Sequence, residues 1–61
     1  MPKYKVLVDV DENGGDEDVF LVSAIVEAST PEEALALGEA KAIARYGKDN
    51  VLGAWDAREL A

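Results

Sequence analysis

The stretch VFLVSAIVEAS, Val19 to Ser29, decides how this chain folds. A strand that covers a core on one side alternates apolar and polar residues. Here Phe20, Val22, Ala24, Val26 and Ala28 fall on one face, and Val19, Leu21, Ser23, Ile25 and Glu27 fall on the other. Three residues of the second set are also large and apolar. A strand of this kind offers one face to a core and leaves apolar surface on the other. The chain has 61 residues. A domain of that size buries only about 60% of the surface its unfolded chain exposes, too little to cover both faces of a sheet.

Upstream, YKVLVDVD (Tyr4 to Asp11) alternates cleanly. Tyr4, Val6, Val8 and Val10 share one face; Lys5, Leu7, Asp9 and Asp11 share the other. This is a half-buried strand. The Asn13-Gly14-Gly15 run that follows accepts positive φ and marks a hairpin. A three-residue loop there would set Val8 against Phe20, Val6 against Val22 and Tyr4 against Ala24. That register keeps one face wholly apolar.

Downstream, Thr30 is placed to N-cap a helix, Pro31 to occupy its first position and Glu33 to complete a capping box. Gly47 is placed to end it. The sequence therefore predicts a helix over 31–46. Ala36, Leu37, Ala40, Ile43 and Ala44 fall on one arc at 100° per residue, which makes them the expected sheet-facing side. Leu35, Ala42 and Tyr46 form a narrower second stripe. Val51 to Glu59 reads as a third strand, with Val51, Gly53, Trp55 and Ala57 on one face and Trp55 as an expected core anchor.

The expected fold is α+β, a single ββαβ domain spanning residues 1–61. A three-stranded sheet in the order 2-1-3 carries its one helix on one face, with the first strand central and antiparallel to both neighbours. The connection through the helix should be right-handed.

The net charge is −7, and residues 9–18 (DVDENGGDED) hold six acids and no base. The other seven acids are nearly balanced by six bases. Asp9, Asp11, Glu12, Asp16, Glu17 and Asp18 thus form an acidic pole, suited to a larger protein with a basic surface. Direct nucleic-acid binding, which needs a positive surface, is not expected. The bland alternative is a solvated hairpin tip that keeps the sheet soluble. DVDENG also resembles the first half of an EF-hand loop, through Asp9, Asp11, Asn13 and Gly14. The bidentate glutamate of such a loop belongs where Phe20 stands, so no cofactor is expected.

Histidine and cysteine are both lacking. That removes the commonest general base, the zinc ligands and any disulfide, and no enzymatic activity is expected. No apolar run approaches the roughly 20 residues that span a membrane, and MPKYKVLV has no signal-peptide pattern. A cytoplasmic protein without membrane contact is the expectation.

One helix leaves the second sheet face open. Leu7, Val19, Leu21 and Ile25, with Leu52 beside them, would form an apolar patch of the kind that marks association. Either the stems of Lys3, Lys5, Asp56 and Arg58 screen it, or a partner covers it. A homodimer packed sheet to sheet is the leading form of the latter.

The segment EASTPEEALALGE, Glu27 to Glu39, is similar to the strand-to-helix junction of the small phage-encoded inhibitor of bacterial RNA polymerase. Ala28, Thr30, Glu33, Ala34, Leu35, Leu37 and Glu39 carry the resemblance. It implies a ββαβ fold and a non-enzymatic, acidic surface that docks on a polymerase. The sequence thus points to a protein-binding module of inhibitor type. A homodimeric structural protein and a calcium-binding hairpin are the alternatives.

Overall fold

A computed structural model describes residues 1–11 and 19–60. Its elements are β1 (Lys3–Asp11), β2 (Val19–Glu27), α1 (Pro31–Tyr46) and β3 (Val51–Glu59), with one 3₁₀ turn at Lys48–Asn50. The sheet has three strands in the order β2-β1-β3, antiparallel throughout, with α1 across one face. The expected ββαβ arrangement is the observed one.

The ends of α1 follow from local chemistry. Thr30 is extended, and its Oγ1 accepts a hydrogen bond from the Glu33 N–H at 3.1 Å. Pro31 loses nothing at the first position, where an N–H has no helical acceptor. At the other end Gly47 adopts φ 95° and donates its N–H to the Ile43 carbonyl at 2.9 Å. The Asn50 side-chain amide donates to the Tyr46 carbonyl at 2.8 Å, so a second terminal acceptor is satisfied.

The hairpin register differs from the expected one by two residues. Tyr4 pairs with Val26, Val6 with Ala24, Val8 with Val22 and Val10 with Phe20. A shift of two keeps every side chain on its face, so alternation alone does not choose between the registers. The observed one sets all four β1 apolar residues opposite apolar partners. The three-residue register would have set Val10 opposite Asp18. The expected Asn13-Gly14-Gly15 loop itself lies outside the described residues.

The core is narrow. Val6, Val8 and Val10 are fully buried, with Tyr4, Val26, Ala28, Ala34 and Ala42 around them. Each valine removed from water contributes on the order of 1.5–3 kcal/mol. Phe20 and Tyr46 close the hairpin end, ring edge to ring face at 5.8 Å between centroids. The Arg45 guanidinium lies 5.7 Å from the Tyr46 centroid.

The helix face is not the expected one. Ala34, Gly38 and Ala42 are its buried residues, with Leu35 and Tyr46 packed beside them. Ala36, Leu37, Ala40 and Ala44 are exposed, and only Ile43 of that arc is half-buried. The reason is close approach. A Cβ on Gly38 would lie 2.4 Å from Cγ1 of Val6. The missing side chain at Gly38 lets the helix backbone settle on Val6, with Ala34 and Ala42 one turn to either side, and the arc of Ala36, Leu37, Ala40, Ile43 and Ala44 holds no glycine.

Strand β3 breaks its alternation twice. Its register against β1 shifts between Leu7 and Val8 and again between Asp9 and Val10. Trp55 and Leu52 are the residues left without a β1 partner. They are 59% and 57% exposed, so Trp55 is not a core anchor. Val51, Ala54 and Ala57, three apart, pack on the core instead. Gly53 lies between the two irregularities at φ 151°, a value L side chains rarely adopt.

Gly38→Ala is expected to destabilise the fold by about 1–3 kcal/mol through overpacking, although alanine favours a helix by about 1 kcal/mol over glycine. Urea denaturation measures the difference. An equally stable variant would mean that α1 can lift from Val6 without cost.

Candidate protein-docking surface

The face of the sheet opposite α1 carries the odd-numbered residues of β1 and β2. On β2, Val19, Leu21 and Ile25 are 43%, 51% and 48% exposed. Their β1 neighbours are polar: Asp11 stands opposite Val19, Asp9 opposite Leu21 and Lys5 opposite Ile25. Leu7 is half-buried and shares a shallow depression with Lys5, Asp56 and Arg58. The expected four-residue patch therefore divides. Leu7 is screened by its neighbours, so the exposed part of that patch is Val19, Leu21 and Ile25 on β2, while β3 separately exposes Leu52 and Trp55. Arg58 and Asp56 approach to 3.8 Å on the surface, a pair worth little to stability.

Of the six acids of the expected pole, two belong to the described residues. Asp9 is half-buried on β1. Asp11 is only 3% exposed, so its carboxylate is withdrawn from the surface that was to offer it to a partner. Glu12, Asp16, Glu17 and Asp18 lie outside the described residues, as does Asn13 of the calcium alternative. Asp9 and Asp11 are both regular strand residues, paired with Leu21 and Val19. They do not share the tight turn that brings EF-hand oxygens together. Among the described residues no three acidic side chains are grouped as a metal site would need.

Two open grooves run between β2 and α1. One is lined by Val22, Ala24, Ala42 and Tyr46 with Lys41 and Arg45; the other by Ile25, Val26, Leu37, Ala40 and Ala44 with Lys3. Lys41 separates them, its Nζ donating to the Ile25 carbonyl at 2.8 Å. The arc of α1 expected to face the sheet thus borders the outer edge of β2. Sequence reasoning missed this flank. The signal was present in the strand order, which makes β2 an edge.

Tyr4 is buried where β1 meets β2. Burial, reinforced by the negative charges of Glu59 and Glu32, raises its phenol above the ordinary value of 10.0. Among the described residues no helix is long and apolar enough to cross a membrane. No family, no curated protein and no solved structure matches the chain.

Two outcomes follow. The folded state holds the Tyr4 proton at a pH where the unfolded chain has released it. Its contribution to stability is therefore complete below the ordinary tyrosine range and is lost as pH rises through the raised value. A spectrophotometric titration should show one of the two tyrosines ionising late, and denaturation midpoints should fall over that range. Trp55 fluorescence should resemble that of indole in water and be readily quenched by acrylamide in the folded protein. A blue-shifted, protected emission would contradict its exposure.

Proposed function

We propose that this protein is a small, non-catalytic binding module that docks on a basic surface of a larger protein. The observation that carries the reading is the run of exposed apolar residues on β2, Val19, Leu21 and Ile25, joined directly in sequence to the acidic stretch 9–18. Apolar area supplies affinity once water is excluded. Adjacent charge selects a basic partner and speeds encounter. The two together describe a contact with an anchor and an electrostatic guide.

The absence of histidine and cysteine favours binding over catalysis. The shallow grooves agree with that choice, since catalytic clefts exclude water. The likeness of Glu27 to Glu39 to the phage-encoded polymerase inhibitor makes a bacterial RNA polymerase the first partner to test, with occlusion of a basic surface as the mode of action. The work would be done in the cytoplasm, where that enzyme acts.

The test is the affinity of the purified protein for bacterial RNA polymerase at low and moderate salt. Binding should weaken steeply with salt. Asp16→Asn with Asp18→Asn should flatten that dependence, and Leu21→Lys should weaken binding at every salt. Leu21 is exposed, so its replacement should change stability by no more than about 0.5 kcal/mol. Failure to bind would remove the polymerase as partner. Binding indifferent to both sets of changes would remove this surface.

A further inference from the structure

We propose that β2 pairs edge to edge with β2 of a second copy, antiparallel about a two-fold axis at Ser23, so that two chains share one continuous sheet. Backbone direction is the first argument. The Ala28 N–H donates to the Pro2 carbonyl at 3.1 Å, continuing the β1–β2 ladder. In an antiparallel ladder a residue turns both its backbone groups to the same side. The even-numbered residues of β2 therefore serve β1, and Val19, Leu21, Ser23, Ile25 and Glu27 turn theirs outward. The Ile25 carbonyl confirms the direction, since it accepts Lys41 Nζ from outside the sheet.

The two sheet edges are protected unequally. Natural sheets blunt their edges with bulges, charges or covering elements. β3 is broken by two register shifts. β2 runs nine residues without one. Among the described residues its only side-chain hydrogen bond from outside is that of Lys41.

Self-complementarity selects the occupant. Ser23 is the midpoint of β2. Pairing about it sets Leu21 of each chain beside Ile25 of the other, apolar against apolar on the open face. On the helix side it brings together two copies of the flank formed by Leu37, Ala40 and Ala44, the arc that the fold leaves unburied. The same register sets Val19 of each chain beside Glu27 of the other, whose cross-strand neighbour on β1 is Lys3. Lys41 yields the Ile25 carbonyl to the Leu21 N–H of the second chain and moves into solvent.

The chain lacks cysteine, so Ser23→Cys introduces one thiol. Opposed residues of a hydrogen-bonded antiparallel pair have Cα atoms roughly 5.5 Å apart, within the roughly 4.4–6.8 Å that a disulfide spans. Under mild oxidation Ser23→Cys should form a covalent dimer faster than Leu21→Cys or Glu27→Cys by roughly tenfold or more. Ser23→Asp, at an exposed position, should keep the circular dichroism of the fold and sediment as a monomer. Equal crosslinking rates at the three positions would overturn the proposal, and so would an unmodified chain that sediments as a monomer at every concentration. A dimer broken by Leu21→Lys but indifferent to Ser23→Asp would overturn it in favour of sheet-to-sheet packing. A monomer whose β2 edge takes up an extended peptide of another protein would overturn it in favour of a foreign strand. Edge pairing leaves the open face uncovered, so polymerase binding by Ser23→Asp reports separately on the docking reading.

Discussion

The absence of one side chain, at Gly38, governs the rest of this fold. With no Cβ there, α1 rests its backbone on Val6 of the central strand. Packing of that closeness fixes which side of the helix is inward, because Gly38 is the helix residue without a Cβ, and Ala34 and Ala42 lie one turn to either side of it. The core that results is built from valines and alanines with Tyr4 at one end, and among the described residues its largest fully buried side chains are Val6, Val8 and Val10. A shallow core of this kind gains its stability from tight contact, since it has little volume to bury. The irregularities of β3 serve the same contact. They turn Val51, Ala54 and Ala57 toward the helix and release Leu52 and Trp55 to the surface.

The parts of this architecture that were legible in the sequence are those set by local chemistry. Thr30, Pro31 and Gly47 mark the helix ends because capping acts within one turn. The strands and their central order follow from alternation and from the apolar content of Tyr4 to Val10. What escaped was set by contact between elements. Hydrophobicity favoured the Leu37 arc, but it carries no information about how near two backbones come. Alternation gave Trp55 an inward place, but a bulge resets the count without leaving a mark in composition. The hairpin register was ambiguous for a further reason: registers two residues apart place every side chain on the same face.

The candidate surface was legible in outline and not in detail. Val19, Leu21 and Ile25 are where alternation put them. Leu7, on the same face, is screened by Lys5, Asp56 and Arg58, an effect of strand pairing that no single strand reveals. Asp11 belongs by sequence to the acidic run, yet on the open face it is withdrawn from solvent. The exposed apolar residues of β2, and the helix flank beside them, thus gather on one border of the sheet. The other border is irregular.

The last backbone contact between β1 and β3 has a mechanical consequence. The Leu60 N–H donates to the Lys3 carbonyl at 2.8 Å, beside the pairing of Tyr4 with Glu59. The two ends of the described chain therefore leave the sheet side by side, from antiparallel strands. Tension applied across them loads one rung at a time, as in opening a zipper, whereas strands pulled lengthwise past each other resist with all their rungs together. A domain strung in series by these two ends would yield at low force, the rungs between β1 and β3 opening in turn from the Lys3–Leu60 end.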